Sequence, residues 1–364
     1  MDHYDIVVVG AGMAGASLAA ELAPHARVLV VEAEDRPGYH ATGRSAAFWA
    51  ESYGGPQVQP LTTASGPWLE SHGMLSPRGA LTLARTDQAA ALEAFEQEFT
   101  AAGVRVEMLD RAGIENWVPG VLPQWQLAAL EPDCSDIDVA AVHAHYLAQM
   151  RKAGAELRLR APLAEAVREA GSWQVSLGDG TKLACDLVVD AAGAWADVVA
   201  RRCGVRPLGI QPMRRTVAQL RTAPAAPANL PLVLDIAGEF YFKPEAGKLW
   251  LSPHDETPSA PCDAAPEEID VAIAIDRFEK VVDWRIEAVE HRWAGLRSFA
   301  PDRLPVYGRD AHEPGFAWFA GQGGFGIQTA PAAAMLGAAV LLGRALPDAI
   351  SAVDPELYLP GRFG

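Results

Sequence analysis

An unbroken apolar run over residues 6–9 opens the chain and enters the turn Gly10-Ala11-Gly12-Met13-Ala14-Gly15. A run with no polar alternation has no solvent face, which predicts a strand buried on both sides of a sheet. Helical spacing over 13–23 follows, and then a second apolar strand over 27–31 that ends on Glu32. The same pattern recurs twice. Residues 187–195 read as a buried strand running into Gly193 and a helix over 195–203. Residues 316–320 read as a strand that meets a glycine loop over 321–326 and a helix over 327–343. Amphipathic spacing predicts further helices over 87–102 and 138–153. Alternation over 173–177 and 181–185, around Gly178-Asp179-Gly180, predicts a hairpin. Between 205 and 294 proline becomes frequent, with alternating strands at 217–220, 239–243 and 249–251 and one helix near 267–282.

This distribution predicts an α/β fold in two discontinuous parts. Residues 1–79, 138–207 and 296–364 would form a doubly wound, Rossmann-like domain of the glutathione-reductase type. Residues 80–137 and 208–295 would form an α+β domain whose antiparallel sheet faces a ligand.

The first glycine turn carries chemistry. Gly10 permits the tight turn, Gly12 lets backbone approach a pyrophosphate, and Gly15 lets the helix lie close against the strand. The helix start at Met13 and Ala14 offers unpaired N–H groups and the positive end of a dipole to phosphates. Glu32 ends the second strand, where a carboxylate accepts the hydroxyls of an adenosine ribose. Strand, turn, helix, strand and acid in this order predict dinucleotide binding. Two glycine-rich strand-to-helix turns, far apart but serving one domain, fit the longer FAD better than NAD.

A length of 364 residues supplies ample core for two domains, and 50% apolar with 21% charged residues is ordinary for a globular enzyme. The formal charge of −16 argues against nucleic acid or an anionic membrane as main partner. It leaves an anionic substrate open, because a local field can oppose net charge. Cys134, Cys185, Cys203 and Cys262 show neither CxxC nor metal spacing and read as reduced thiols of a cytoplasmic protein. The first strand leaves no room for a signal peptide, and the apolar stretch 330–342 is too short to span a bilayer.

Four stretches carry a family resemblance: Gly38-Tyr39-His40-Ala41-Thr42-Gly43-Arg44-Ser45-Ala46-Ala47, Val205-Arg206-Pro207-Leu208-Gly209-Ile210-Gln211-Pro212, Trp293-Ala294-Gly295-Leu296-Arg297-Ser298-Phe299 and Gln322-Gly323-Gly324-Phe325-Gly326-Ile327-Gln328-Thr329. Through them the chain resembles the FAD-dependent D-amino acid oxidase/dehydrogenase superfamily, and most closely the bacterial D-arginine dehydrogenase type. The resemblance implies hydride transfer from the α-carbon of an amino acid to flavin, giving an imino acid that hydrolyses to a 2-oxo acid and ammonia. It places Thr42, Arg44, Ser45, Ala46 and Ala47 beside the flavin. It sets Gly323, Gly324, Gly326, Ile327, Gln328 and Thr329 at the pyrimidine end, where N–H donors stabilise the reduced ring's negative charge. Ala33, Ala164, Ala192, Gly193 and Trp195 complete the implied cofactor set. No cysteine falls where related oxidases attach flavin, so non-covalent FAD is expected.

On the same resemblance Arg297 grips the substrate carboxylate with its bidentate fork, Tyr241 donates to it, and Tyr53 closes over it. Arg214, rather than its neighbour Arg215, is the better match for a second cation. The amine would face the Gly295 carbonyl and Gln328. His40 reads as structural, and Asp190 and Asp197 as strand-end and helix residues. The electron acceptor would be a quinone, a dye or oxygen.

Three positions depart from the arginine-preferring pattern. Ala80 stands where a carboxylate meets the substrate guanidinium, Phe48 replaces a histidine, and Ala50 replaces a threonine. All three remove polarity, and a buried guanidinium without a carboxylate is costly. A neutral or apolar amino acid is therefore expected in place of D-arginine or D-lysine. Secondary amines such as sarcosine or proline, 2-hydroxy acids, and a flavin-binding subunit of a larger complex are the alternatives.

Overall fold

The computed structural model describes residues 2–364. The opening strand, Asp2–Val9, pairs in parallel with Val28–Val31 on one side and Lys182–Asp190 on the other. They form the centre of an eight-stranded sheet that adds Glu156–Arg158, the hairpin strands Leu163–Glu169 and Ser172–Leu177, and the pair Val306–Arg309 and Phe316–Ala320. Successive residues of the opening strand serve different cores. Ile6 and Val8 face the helices Met13–Leu22, Val139–Lys152 and Ala330–Leu342, while Val7 and Val9 face Trp173, Val199 and Trp318. Period-two alternation with both faces apolar is the physical content of the unbroken run.

The predicted strands at 181–185 and 187–195 differ from this in one respect. They are a single strand, Lys182–Asp190, which pairs parallel with Asp2–Val9 along nearly its whole length, while on its other edge its start pairs antiparallel with the hairpin and its end parallel with Phe316–Ala320. The predicted helix over 327–343 begins only at Ala330, with Pro331 in its first turn, and 324–329 is a run of turns.

The second sheet has ten strands. Its spine is the antiparallel pair Gln211–Ala223 and Arg285–Phe299, and Lys248–Ser252, Tyr241–Glu245, Leu232–Asp235, Ala80–Arg85, Trp125–Glu131 and Glu107–Asp110 extend it outward. One face is covered by the helix Glu268–Glu279, whose Val271, Ala274 and Phe278 meet Leu220, Phe242 and Leu249. The opposite face carries Ala80, Leu232 and Tyr241 against Phe48 and looks toward the first sheet. All eight strands of the first sheet lie within 1–79, 138–207 or 296–364. The second sheet draws mainly on the other segments, but its strand Arg285–Phe299 runs across the 295/296 division and it recruits Gln322–Gly323 as its last strand. That recruitment ties the glycine loop to Arg285–Phe299.

Close helix–strand approach leaves no room for a side chain at one position of the first turn. A Cβ on Gly15 would lie 1.9 Å from the Gly10 carbonyl oxygen. Gly15→Ala should therefore force the helix off the strand and cost about 3 kcal/mol. A fall in the urea unfolding midpoint at unchanged slope checks this.

Candidate active site

The glycine turn builds one end of a cavity of about 390 Å³. Gly10 adopts φ +104°, and a Cβ there would meet the Ala191 carbonyl oxygen at 2.6 Å. Gly12 leads into the helix Met13–Leu22 with extended backbone, and nothing but the Thr42 hydroxyl comes within 4 Å of a Cβ built on it. Glu32 lies in the wall, with one carboxylate oxygen accepting the Ala11 N–H at 2.8 Å and the other the Glu34 N–H at 3.0 Å. Each oxygen keeps a further lone pair for a hydroxyl. Met13, Ala14, Ala33, Thr42, Arg44, Ser45, Ala192, Gly193, Trp195, Gly323, Gly324, Gly326 and Ile327 line the same cavity. Gly193 borders open space at φ +55°.

Other members of the implied cofactor set lie elsewhere. Gly15 lies under the turn. Ala164 is exposed on an edge strand, because an irregular pairing between Leu163 and Glu165 turns it outward, and Pro162 and Leu163 take the wall. Thr329 is buried, its hydroxyl donating to the Phe325 carbonyl at 2.9 Å. Ala46 and Ala47 line a second, smaller cavity instead. Arg44 has its guanidinium committed to Asp263 and to the Ala264 carbonyl at 2.8 Å, which pins a strap of the second sheet's side over the cavity. His40 stacks near Trp195 and contacts Glu34 at 2.9 Å. Ser298, Gln322 and the exposed Cys262 also line the cavity, and Cys134, Cys185 and Cys203 are buried.

The second cavity, about 20 Å³, adjoins the first through Ser45, Arg297, Gly324 and Ile327, which line both. Its other walls are Ala46, Ala47, Phe48, Tyr53, Arg215, Tyr241 and Gln328. Strand register explains the two cations. Arg215 pairs opposite Gly295, and Met213 opposite Arg297, so Arg215 and Arg297 stand diagonally on one face with a side-chain-free position beside them. Arg214 faces the other way and pairs with Glu267 and, at 3.0 Å, with Asp270. The choice of Arg214 is thus corrected to Arg215, since adjacent strand residues point to opposite faces.

Arg215 is buried and partly neutralised, with Nε donating to the Asp255 carbonyl at 2.8 Å and Nη2 lying 3.2 Å from Glu256. Tyr53 borders the same small cavity, close enough for its hydroxyl to act on this guanidinium. Arg297 is also buried but has no hydrogen-bond or ion-pair partner among the described residues. Burial, and then the like charge of Arg215, press its pKa below the guanidinium norm. A guanidinium stays protonated regardless.

Gln328 does not offer its amide hydrogens to the cavity. They go to the Tyr53 carbonyl at 2.9 Å and the Thr62 hydroxyl at 3.0 Å, while its oxygen accepts the Ala50 N–H. Gly295 lines the larger cavity, with its Cβ position 3.2 Å from an Arg297 nitrogen. Phe48 packs edge-on to Tyr53 and Tyr241 at 5.0 and 6.3 Å. Ala50 and Ala80 are buried behind this aromatic wall and do not line the cavity.

Two groups were not foreseen. His254 packs on Tyr241 and Tyr53 at 5.6 and 6.3 Å. Its Nδ1 lies 2.7 Å from the Gly238 carbonyl and therefore carries the proton. Burial, with Arg215 beside it, drives its pKa down to about 3, so the ring is neutral. The second is Glu131, which lies directly across the strands from Ala80 and is 3% exposed. Its oxygens accept the Glu51 N–H at 2.6 Å and the Ser52 hydroxyl at 2.5 Å. Neither residue belongs to a motif, and only the tertiary contacts single them out.

The larger cavity has room for an elongated dinucleotide, with the Glu32 carboxylate and the bare backbone of the glycine turn in its wall and a cationic pocket adjoining it. That is the layout of a flavoprotein oxidoreductase. The chain belongs to the FAD dependent oxidoreductase family, whose model matches residues 5–340, and its cofactor is FAD. It is 29% identical over 381 aligned positions to the tRNA 5-methylaminomethyl-2-thiouridine biosynthesis bifunctional protein of Polaromonas sp. (strain JS666). That alignment covers 94% of the chain and 57% of the relative, so the chain spans little more than half of that protein's length. Its fold is similar to that of L-proline dehydrogenase from P. horikoshii, with TM-score 0.84, 20% identity and 97% of each chain covered. It is also similar to that of glycine oxidase from Geobacillus kaustophilus, with TM-score 0.83, 22% identity, and 97% of this chain and 98% of that one covered. Among the described residues no helix is long and apolar enough to cross a membrane.

Burial raises the Glu131 pKa to about 7, with Glu51 adding like charge. Between the ordinary carboxylate pKa and that value the unfolded chain releases a proton that the folded chain keeps. Stability should therefore fall as pH rises from about 4.5 to 7, by on the order of 3 kcal/mol. Chemical denaturation across this window should show that slope in the wild type and a flatter one in E131Q.

Proposed function

We propose that this chain oxidises the Cα–N bond of a compact, neutral amino acid of D configuration, held by its carboxylate. The observation that carries the reading is Arg297, a buried guanidinium without a counter-ion, beside Arg215 where the two cavities meet. A carboxylate bound there neutralises it and gains charge-assisted hydrogen bonds. Tyr241 and Tyr53 border the same space and serve as hydroxyl donors. Bound in the larger cavity, FAD supplies the two-electron acceptor for the α-hydrogen. The protein's part is orientation, with the carboxylate fixed at one end so that the α-carbon faces the junction. The resulting imino acid hydrolyses to a 2-oxo acid and ammonia, and the reoxidant is a quinone, a dye or oxygen. The same reading keeps the flavin non-covalent, the protein cytoplasmic, and the division at 80–137 and 208–295 as a substrate domain.

The motif resemblance to D-arginine dehydrogenase carries over only in part. Ala80 offers no carboxylate, and the acid facing it across the strands, Glu131, has both oxygens committed. A substrate guanidinium would find no partner.

A second reading, oxidation of a secondary amine, draws on the size and chemistry of the smaller cavity. It measures about 20 Å³, and Asp, Glu and His are absent from its lining. A secondary amine presents fewer N–H donors to such a wall than a primary one.

Anaerobic mixing of the FAD-loaded protein with D- and L-amino acids, sarcosine and D-proline tests both readings by loss of flavin absorbance. Bleaching by D-alanine or D-leucine, with D-arginine poor, is expected. Bleaching by sarcosine or proline alone selects the second reading, and bleaching by none overturns both. With the best substrate, Arg297→Lys should lower kcat/KM by about 100-fold, because the bidentate fork is lost.

A further inference from the structure

The segment carrying Tyr53 is held from two sides. Gln328, from the glycine loop, accepts the Ala50 N–H at 3.3 Å and donates to the Tyr53 carbonyl at 2.9 Å. Glu131, from the last turnward residue of a second-sheet strand, accepts the Glu51 N–H at 2.6 Å and the Ser52 hydroxyl at 2.5 Å. Four consecutive residues are thus tied by two buried side chains, the outer pair by Gln328 and the inner pair by Glu131. Beyond them the chain passes through Gly54 and Gly55, at φ +107° and +85°, where the backbone has no β-carbon to stiffen it. The hydroxyl positioned by this clamp is confined. Tyr53 lies beside Arg215, and its oxygen is 2.6 Å from where a Gly324 Cβ would sit.

We infer that Glu131 is a positioning residue, which holds Tyr53 against Arg215 and so sets the affinity of the small cavity for a carboxylate. The inference rests on the reading of that cavity as a carboxylate site. A buried acid with no cation beside it is costly to retain, and among the described residues no cation pairs with Glu131. Its two bonds go to Glu51 and Ser52, the two residues that precede Tyr53, which is what its burial secures. The ties survive protonation, since the acid carbonyl accepts the Glu51 N–H while the O–H donates to the Ser52 oxygen. A glutamine amide reproduces that pattern atom for atom.

The test uses the FAD-loaded protein and two small probes, acetate and pyrrole-2-carboxylate, titrated while flavin absorbance and flavin content are followed. E131A should raise the Kd of both probes by about tenfold at unchanged flavin content, and E131Q should restore it to within about twofold of wild type. In a Tyr53→Phe background the E131A step should shrink to below about twofold, because the two residues act along one route. Ser52→Ala removes one tie from the loop side and should raise Kd by about threefold; it serves if E131A does not fold. Wild-type binding with unchanged affinity in E131A and S52A overturns the clamp, as does full additivity with Tyr53→Phe. Failure of the wild type to bind either acid overturns the carboxylate site itself, which is a separate result.

Discussion

The register between Gln211–Ala223 and Arg285–Phe299 is the constraint on which the rest of the site depends. It puts Arg215 and Arg297 on one face, leaves Gly295 between them, and sends Arg214 to the far side. The same long strand then pairs with Gln322–Gly323, so the glycine loop is positioned by the sheet that carries the cations. A slip of one residue would either exchange Arg215 for Arg214 or turn Arg297 away, and would part the two cations that now share a face. The helix Glu268–Glu279 guards against that slip. Its Asp270 gives Arg214 a partner on the outer face that Arg215, with Glu256 and the Asp255 carbonyl, does not need.

The cofactor half was legible in the sequence because its constraints are short-range. Gly10, Gly12 and Glu32 sit within one strand–helix–strand unit, and each is required by geometry a few residues away. The substrate half was legible in kind but not in detail. That a cation sits near 214–215 follows from the resemblance, whereas which of the two faces inward is a parity that depends on a partner strand some eighty residues later. Gln328 presents the same difficulty. Its place beside the cavity was readable, but its hydrogen-bonding capacity is spent on a loop 275 residues earlier. Ala164 was misplaced by one irregular pairing, which no spacing rule anticipates. Glu131 and His254 carry no local signal at all, since burial alone gives them their chemistry.

The departures from the arginine-preferring pattern acquire a common physical sense once the walls are seen. Phe48, Ala50 and Ala80 belong to one apolar cluster with Leu232 and Tyr241. Ala50 and Ala80 act from behind, by leaving Phe48 and Tyr241 room to pack edge-on. Restoring polarity at a single one of these positions would bury an unpartnered group in an apolar layer. The three substitutions are therefore coupled, and the selectivity of the cavity belongs to the cluster.

Two unequal cations and a neutral imidazole also define how a proton would leave. The small cavity has two guanidiniums and no carboxylate in its walls, and His254 stands behind the tyrosines with its Nδ1 proton on a carbonyl. An amino acid carries one negative and one positive charge when it arrives from neutral solution. On the proposed reading the carboxylate binds beside Arg215 and Arg297, and an ammonium a few ångströms away would be poorly solvated beside the guanidinium charge left uncompensated. Burial together with that charge would favour binding with the amine already neutral. A neutral amine is the form that releases hydride from its α-carbon. On the proposed reading, the cations that would recognise the acid would also prepare the nitrogen, with no dedicated base required. On that reading, Phe48 can stand at its position without the chemistry needing a titratable group there.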